Sequence, residues 1–404
     1  MRSSRSTRRL DLTLALLLGS VVLFLFSYTG AVVAVPLLAA EYDADPALVG
    51  AVVALPGFLG FLLAIPSAAL SNRVGRRPVI AAGFVCLSLS GIGFVLAPGF
   101  QWLIPSQLAI GLAMILYWPS TLAAFSELAG HRSHEFIQGA NTLSQGLAGF
   151  LGATVAASLT GLAGTGVAVI AILVAAIAGL TLVSILEETS PRAARTPHWE
   201  VGAAARSAVR LLVADRYVGL GIYALLSWAM LWWVAGASFF VLHVTNIGHS
   251  AIFAGALLGL RIAVASILRL AFAPIARRLG LANLLIWGNA MAGIGLLLVL
   301  ASDSAAVLTA SAIIQGTGLA LVLPASNVVV SLGTPPADRV VGLAMSASFN
   351  NLAILLSAPI LGLAAASGGT HLGLALAGVI ALAGSLLMLP WRAAKPSLPT
   401  RDEE

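Results

Sequence analysis

The residue with the clearest chemical potential is Arg261, which lies in the middle of a long apolar stretch. A guanidinium group carries a fixed positive charge and a planar fork of N–H donors that matches a carboxylate. If the stretch is a membrane-spanning helix, Arg261 lies ~16 Å from its outer end, near the middle of a ~30 Å apolar layer. A charge at that depth costs at least ~2.5 kcal/mol unless a partner, water or an anionic ligand solvates it.

No carboxylate in the sequence is a candidate partner for Arg261, because all 15 acidic residues lie at span ends, in loops or in tails. Our first interpretation is that Arg261 faces a central cavity and pairs with the anionic group of a substrate. The alternative is that it donates hydrogen bonds to backbone carbonyls or amide side chains across a helix junction. Arg269, two turns nearer the cytoplasmic end of the same stretch, can reach the membrane interface and is expected to be structural.

Other polar and aromatic side chains fall at a similar depth in other apolar stretches. The candidates for a binding pocket with Arg261 are Tyr28, Tyr117, Trp118, Asn141, Gln145, Trp228, Trp232, Asn327 and Asn350. Each has a simpler role when taken singly, because Trp and Tyr form interfacial belts and amides join helices. As a set they predict a pocket for a partly aromatic or apolar organic anion.

The composition is that of a membrane protein. Hydrophobic residues make up 59% of the chain and charged residues 9%, whereas a soluble domain keeps about a quarter of its residues charged. Twelve apolar runs have the ~20-residue length of a bilayer-spanning helix, and in lipid a helix satisfies every backbone amide internally. We predict spans at 12–39, 47–70, 78–97, 103–126, 136–160, 167–186, 217–241, 250–273, 281–301, 304–330, 340–365 and 371–391.

The basic residues indicate how these spans are oriented. Nearly all of the 21 Lys and Arg residues precede the first span or follow an even-numbered span, whereas the opposite loops carry Glu41, Asp43, Asp45 and Asp303. The positive-inside rule therefore predicts a multi-pass protein of a bacterial-type inner membrane, with both termini cytoplasmic. The net charge of +6 reflects this asymmetry and does not indicate nucleic-acid binding.

Two halves of the chain are related by a repeat. Gly111 and Pro119 of the fourth span match Gly316 and Pro324 of the tenth at the same offset of 205 residues. Parallel repeats about an axis normal to the membrane place a binding site between the halves, near the midplane. The predicted domains are an N-terminal six-helix bundle (1–186), a cytoplasmic linker (187–216) and a C-terminal six-helix bundle with a short cytoplasmic tail (217–404).

Over essentially its whole length the chain resembles the Major Facilitator Superfamily. That family's signature after its second helix, Gly-x-x-x-Asp-Arg-x-Gly-Arg-Lys/Arg, is matched by Asn72, Arg73, Gly75, Arg76 and Arg77, with Asn72 in place of the acid. The resemblance implies that these residues form a cytoplasmic conformational latch, in which the amide of Asn72 keeps a hydrogen bond but no charge. It also implies an all-α membrane fold of two six-helix bundles, related by a pseudo-two-fold axis along the membrane normal. The first, fourth, seventh and tenth helices would line the cavity.

Two further family patterns are weaker. Exporters of the family often carry an Arg four residues before the glycine that corresponds to Gly111, and here that residue is Gln107, which cannot carry charge. The fifth-helix antiporter pattern survives only as small residues, which favours tight packing against a neighbouring helix. These are Gly146, Gly149, Gly152, Ala153, Ala156 and Ala157.

The histidines are expected in or beside loops, which leaves the predicted spans without an embedded proton acceptor. They are His131, His134, His198, His243, His249 and His371. Coupling could then use the substrate's own proton, Asp11, Glu41 or Glu127 at span ends, or a counter-anion, and uniport is also open. Nothing resembles a metal site, a nucleotide-binding loop or a catalytic triad, so we expect no cofactor and no enzymatic activity.

Three functions are consistent with these observations. The first is a secondary transporter for a small organic solute, most simply an anion bound by Arg261, working by alternating access as a monomer in the lipid bilayer. The second is an efflux exporter of hydrophobic drugs or metabolites, in which the aromatic residues bind the substrate and Arg261 is structural. The third is a receptor or scaffold of the same fold that transports nothing.

Overall fold

The computed structural model describes residues 2–128, 134–189, 216–333 and 339–393, and these residues are helical without a β-strand. Among them, twelve helices are long and apolar enough to span a bilayer. In chain order they are α1 (Arg2–Glu41), α2 (Pro46–Val74), α3 (Arg76–Val95), α4 (Leu103–Leu128), α5 (His134–Ala163), α6 (Thr165–Ser184), α7 (Arg216–Asn246), α8 (Ala251–Leu270), α9 (Leu281–Leu298), α10 (Ala305–Leu332), α11 (Arg339–Gly368) and α12 (Thr370–Met388). The predicted twelve-helix fold is confirmed. Most of the predicted linker, residues 190–215, lies outside the described residues.

The two halves repeat the same packing. In the first half α3 packs against α4 and α1 against α6, and in the second half α9 packs against α10 and α7 against α12. Gly75 precedes α3 and Gly280 precedes α9, and both have a positive φ, of 115° and 80°. A side chain would strain either turn, which explains why glycine stands at both positions of the repeat. With an even number of spans, the start of α1 and the end of α12 share one side of the membrane. We call it the terminus side, and the other the far side.

Aromatic stacking fills the core of the first half. The ring of Tyr117 stacks on Phe24 at a centroid distance of 3.8 Å, and Phe84 meets both rings edge-on at 5.5 Å. The Tyr117 hydroxyl is 3.0 Å from the Ser20 hydroxyl. All three aromatic rings are fully buried, so the bundle is held by contacts among α1, α3 and α4.

The halves meet along two helix pairs, α2 with α11 and α5 with α8. On α2, Gly50 lies against the backbone of Ala358, and Gly57 lies against the backbone of Asn351. On α5, Gly149 faces Ile262 of α8. The other small residues of α5 share this role: Gly146, Ala153 and Ala157 lie against α8, and Gly152 lies against α1. The interpretation of the α5 pattern as tight packing is confirmed, because small residues let helix backbones approach closely.

Among the helices that the structure describes, α7 departs from regular α geometry. α7 is α-helical over Arg216–Ala229, π-helical over Met230–Phe239 and α-helical again over Phe240–Asn246. π-helical turns are rare and occur frequently at functional sites. The π segment is buried almost throughout, so lipid does not surround its widened backbone.

α7 also corrects the expectation that every histidine lies in or beside a loop. The helix continues to Asn246, beyond the predicted end at residue 241, and encloses His243, which is 3% exposed. The His243 Nδ1 atom lies 2.9 Å from the Thr370 hydroxyl of α12. The sequence prediction was wrong because a partner 127 residues away makes burial of this polar ring possible.

Candidate functional site

A cleft lies between the two halves, toward the far side of the membrane. Its walls are mostly apolar, and three side chains offer polar groups: Tyr28 of α1, Gln107 of α4 and Ser238 of α7. The full lining is Tyr28, Val32, Pro36, Val53, Pro56, Gln107 and Ile110 from the first half, and Trp233, Ser238 and Ile354 from the second. This lining, apolar with a few convergent polar groups, is that of a small-molecule site, but the free volume of about 30 Å³ is too small for an organic solute, so the cleft is closed in this conformation.

Aromatic rings connect this cleft to the interior of the second half. Tyr28 meets Trp233 edge-on at 5.3 Å, Trp233 meets Trp232 at 6.4 Å, and Trp232 stacks on Trp228 at 5.4 Å. The Trp228 indole donates a 3.0 Å hydrogen bond to the Leu319 carbonyl of α10. We call Tyr28, Trp233, Trp232 and Trp228 the aromatic ladder. Its first contact crosses between the halves, and its other contacts lie within α7.

Arg261 lies behind this ladder and is only 1% exposed. Its Nη1 atom donates to the Leu231 carbonyl at 3.3 Å and its Nη2 atom to the Trp232 carbonyl at 3.0 Å. The guanidinium carbon lies 4.8 Å from the centre of the Trp232 ring, within cation–π range. This contact set is the alternative considered from the sequence, in which Arg261 bonds backbone carbonyls. Direct pairing of Arg261 with a substrate stays a prediction.

The hydrogen bonding of Arg261 is incomplete. Its Nε atom is buried and has no hydrogen-bond partner. Arg261 also forms no ion pair with a described residue, since the salt bridge found among these residues joins Arg76 and Glu127. Two carbonyl dipoles and one aromatic face therefore solvate a full positive charge in the membrane interior. A buried cation with so few partners is costly.

Two glycines make room for Arg261. A Cβ at Gly236, in the π segment of α7, would overlap the guanidinium group, and it would also lie 2.6 Å from the Leu231 carbonyl oxygen. On the other side, a Cβ at Gly316 of α10 would lie 2.6 Å from the Arg261 carbonyl oxygen. The Arg261 side chain is thus held against α7 and its backbone against α10.

The structure corrects the expected position of Arg269. Its Nε atom donates to the Ala320 carbonyl of α10 at 3.1 Å, and its guanidinium carbon lies 5.3 Å from the centre of the Trp232 ring. It therefore turns inward, to a carbonyl and an aromatic ring, instead of toward the interface. The structural role expected for it is consistent with these contacts. Trp232 contacts both arginines of α8.

Of the predicted pocket residues, only Tyr28 lines the cleft. Tyr117 is packed in the core of the first half, and Trp118 lies beside it at 6.4 Å. Asn141 is buried with its Oδ1 atom lacking a hydrogen bond, whereas Asn327 is exposed. The remaining ones are Gln145 and Asn350, which are half-buried, and Trp228 and Trp232, which belong to the aromatic ladder.

The sequence prediction omitted two polar residues of the cleft, Gln107 and Ser238. Gln107 occupies the position where exporters often carry an Arg, and it was set aside because it has no charge. The sequence signal for Gln107 was its position four residues before Gly111. In the structure Gly111 packs against α2, where a Cβ at position 111 would lie 2.9 Å from the Cα of Pro56, another lining residue. No comparable signal marked Ser238, whose hydroxyl donates to the Trp233 carbonyl at 3.3 Å.

The predicted latch residues form a polar cluster on the terminus side. Arg76 donates through Nε to Glu127 at the end of α4 at 3.1 Å, and through Nη1 to the Ser71 hydroxyl at 3.1 Å. The carboxylate of Glu188 accepts from the backbone N–H groups of Arg76 and Arg77 at 2.9 and 3.3 Å, at the start of α3. This is a favourable place for an anion.

Two further contacts of this cluster also lie within the first half. Arg77 donates to the Ser184 carbonyl at the end of α6, and the Thr189 hydroxyl donates to Glu127 at 2.7 Å. Arg73 is exposed, and the side chain of Asn72 lies outside what the structure describes. The cluster joins α3, α4 and the chain after α6, so a latching role between the halves stays a prediction.

Comparison with family models decides the family. The model of the Major Facilitator Superfamily matches residues 17–286 and 244–404, which together cover nearly the whole chain. The chain belongs to the Major Facilitator Superfamily. It is accordingly a multi-pass membrane transporter of that superfamily, as its sequence resemblance predicted. The comparison with curated protein sequences finds no significant match.

Solved structures of Major Facilitator Superfamily transporters share the fold at low sequence identity. The nucleoside transporter NupG is 14% identical with a TM-score of 0.76, covering 94% of this chain and 98% of that one. A POT peptide transporter is 17% identical with a TM-score of 0.75, covering 93% of each chain. The human organic anion transporter MFSD10 is 18% identical with a TM-score of 0.70, covering 94% and 99%. At these identities the similarity shows the fold, and the substrate has to be inferred from the site.

Proposed function

We propose that this transporter moves small organic anions across the inner membrane by alternating access, with both termini cytoplasmic. The observation that carries the proposal is the buried positive charge of Arg261, which has no carboxylate partner among the described residues. Arg261 contacts the Trp232 ring, Trp232 meets Trp233, and Trp233 lines the cleft.

The energetic argument concerns the charge balance of the site. The described residues around Arg261 solvate it with two carbonyls and the Trp232 ring, and its Nε atom has no partner. In a low-dielectric interior this charge attracts an anion over a longer distance than it would in water. The aromatic and apolar walls of the cleft suit the organic part of such a solute. Binding thus combines a carboxylate near Arg261 with an apolar body near Tyr28 and Trp233.

Two of the similar structures show that proteins of this fold bind or carry anions. MFSD10 is described as an organic anion transporter, and a POT peptide transporter has been solved in complex with sulfate. Other similar structures are a nucleoside transporter and a peptide transporter, so the fold also serves solutes that are not simple anions. The fold of this chain is therefore compatible with the proposed cargo.

A second candidate function is efflux of hydrophobic drugs or metabolites. The observation that favours it is the apolar lining of the cleft, together with the engagement of Arg261 by the Leu231 and Trp232 carbonyls. In that case the aromatic ladder binds the substrate and Arg261 is structural. The two candidates predict different effects of removing the Arg261 charge. In the first, transport of an anion falls more than transport of its neutral analogue. In the second, the two fall equally.

The test uses matched substrate pairs in proteoliposomes. A thermal-shift screen of organic acids, amino acids and drugs first finds a binder, because a ligand of the native state raises its melting temperature. Uptake of the best acid and of its neutral amide is then compared in the parent protein, Arg261→Met and Arg261→Lys. The control is Arg269→Met, which removes the other arginine that contacts Trp232.

We expect Arg261→Met to lower the acid-to-amide uptake ratio by at least about tenfold, which corresponds to ~1.4 kcal/mol of lost discrimination. Arg261→Lys should retain part of that ratio, because it keeps the charge but not the planar fork. The control should leave the ratio near the parent value. An unchanged ratio in Arg261→Met would refute the anion proposal and favour the efflux of hydrophobic compounds.

The remaining parts of the proposal concern coupling and assembly. We propose that the protein works as a monomer and that a proton or a counter-anion drives uptake. Uptake measured with an imposed pH gradient, and separately with the unlabelled acid inside the vesicles, distinguishes these two driving forces. Stimulation by neither would indicate uniport. Protease accessibility of the N-terminal residues in oriented vesicles tests the cytoplasmic location of the termini.

A further inference from the structure

The π segment of α7 connects Arg261 to the cleft. Leu231 and Trp232, whose carbonyls accept from Arg261, lie at its start, and Trp233 and Ser238, which line the cleft, follow in the same segment. A π-helix holds more residues in each turn than an α-helix, and it is normally limited to a single turn. Ten residues in this form require stabilisation from outside the helix.

We propose that Arg261 is a positioning residue that holds α7 in its π-helical form and thereby keeps the Trp233–Tyr28 contact closed toward the far side. The two guanidinium donors bind consecutive carbonyls on one face of the segment. Loss of these bonds lets the segment return to α geometry, which rotates the part of α7 that carries Trp233 relative to its start. The edge-on contact between Trp233 and Tyr28 then separates, and the far side of the cleft opens.

The fit between Arg261 and Gly236 supports this role. Gly236 lies in the π segment, five residues after Leu231, and a Cβ at that position would overlap the guanidinium group. The arginine thus fills a space that exists because residue 236 has no side chain. The backbone of Arg261 is in turn packed against Gly316 of α10, so α10 supports α8 at the point where the guanidinium binds α7. We call the two hydrogen bonds from Arg261 to the Leu231 and Trp232 carbonyls the brace.

The unpartnered Nε atom of Arg261 provides a route to release. An anion that reaches the guanidinium offers a charged acceptor in place of two neutral carbonyls, and charge-assisted hydrogen bonds are about twice as strong as neutral ones. The anion therefore draws Arg261 away from Leu231 and Trp232. This release step rests on the proposed function, whereas the brace itself is a property of the substrate-free protein.

The experiment measures the brace without substrate. Spin labels at Ala40→Cys and Asn246→Cys, exposed positions at the far-side ends of α1 and α7, report the separation of these helices. The native Cys86 is replaced by Ser in all variants. The brace is removed by Arg261→Met. Gly236→Ala displaces the guanidinium but also crowds the Leu231 carbonyl, so it is compared with the Arg261→Met/Gly236→Ala double variant, which contains only the second effect. The matched control is Gly221→Ala, at a glycine of α7 that faces Val329 and Val330.

Hydrogen exchange of residues 230–239 provides the second measurement. We expect Arg261→Met and Gly236→Ala to shift the distance distribution toward longer separations and to raise the exchange of this segment at least about tenfold. Gly221→Ala should change neither quantity. If Arg261→Met fails to fold, Gly236→Ala and Arg261→Lys carry the test, with Arg261→Lys expected to be intermediate.

An unchanged distance distribution and unchanged exchange in the folded variants would overturn the brace. Addition of the acid identified by the thermal-shift screen then tests release in the parent protein, where the distribution should move in the same direction. A brace that is present but insensitive to acids would refute only the release step. The acid-to-amide ratio tests the substrate proposal separately, so the two failures are distinguishable.

Discussion

The ion pair between Arg76 and Glu127 allows a quantitative test of the terminus-side cluster. The Arg76 Nε and Nη2 atoms lie 3.1 and 3.0 Å from the same Glu127 oxygen, and the Thr189 hydroxyl binds the other oxygen at 2.7 Å. The two charged side chains are 13% and 21% exposed. Exposed ion pairs contribute ~0.2–1 kcal/mol and buried charged hydrogen bonds ~1.5–3 kcal/mol. A pair that is mostly but not fully buried should therefore contribute about 1 kcal/mol.

The perturbation is a double-mutant cycle of Glu127→Gln, Arg76→Gln and the combination. Glutamine at position 127 keeps the shape but has one acceptor oxygen where the carboxylate has two, so it removes the charge and disturbs either the Arg76 or the Thr189 bond. The cycle cancels effects that are independent of Arg76 and leaves the coupling between the two side chains. For a bundle of about 150–250 residues, ~1 kcal/mol corresponds to roughly 2–4 °C in melting temperature. Each single variant should melt at least that much lower, and the double variant should fall short of the sum by ~1 kcal/mol.

The assay is thermal unfolding in detergent at low and at high salt. Salt should reduce the coupling only in part, because screening acts mainly on exposed charges. Arg77→Gln provides the control, since Arg77 donates to the Ser184 carbonyl and not to Glu127. A cycle that is additive within ~0.3–0.5 kcal/mol would refute the reasoning, because it would mean that Arg76 and Glu127 are near neighbours without energetic coupling.

Two further variants test the packing described above. Gly255→Leu should lower the melting temperature by an amount corresponding to ~1–3 kcal/mol, because a Cβ at that position already overlaps the Ala157 side chain between the halves. The control is Gly166→Leu, where nothing lies within 4 Å, and it should be neutral. Equal melting temperatures of the two variants would contradict the close approach of α5 and α8. Tyr117→Phe should lower the stability by about 1 kcal/mol, because it loses the hydrogen bond to Ser20. The affinity for transported acids should stay unchanged. An altered affinity at unaltered stability would place Tyr117 in the binding site.

The architecture was predictable from the sequence because its cause is local. A bilayer requires ~20 apolar residues for each helical span, and this requirement is visible in any window of the chain. The repeat was also predictable, since Gly75 and Gly280 stand at matching positions and both adopt the positive φ that favours glycine. The boundaries were less accurate at α7, where the helix continues past residue 241 to Asn246.

The candidate site was predictable only in part. Depth along a helix follows from residue number, so the sequence was enough to place Arg261 and Tyr28 in the middle part of their spans. The direction of a side chain around the helix depends on its neighbours, and this is why Tyr117 lies in the core of the first half and Arg269 turns inward to Ala320. Gln107 is the opposite case: from the sequence it was set aside because it has no charge, but the packing of α4 directs it into the cleft.

The sequence by itself determined that this protein crosses the membrane twelve times, that its halves are related, and that one arginine lies deep without an acidic partner. These properties depend on the composition and spacing of residues, which can be read directly from any segment of the sequence. Only the tertiary structure decided what Arg261 touches. The π-helical form of α7, the space opposite Gly236 and the Trp232 ring all belong to residues 230–239, and Arg261 meets them because α8 packs against this irregular segment. A buried charge is solvated by whatever groups packing brings to it, and no periodicity in the sequence encodes that arrangement.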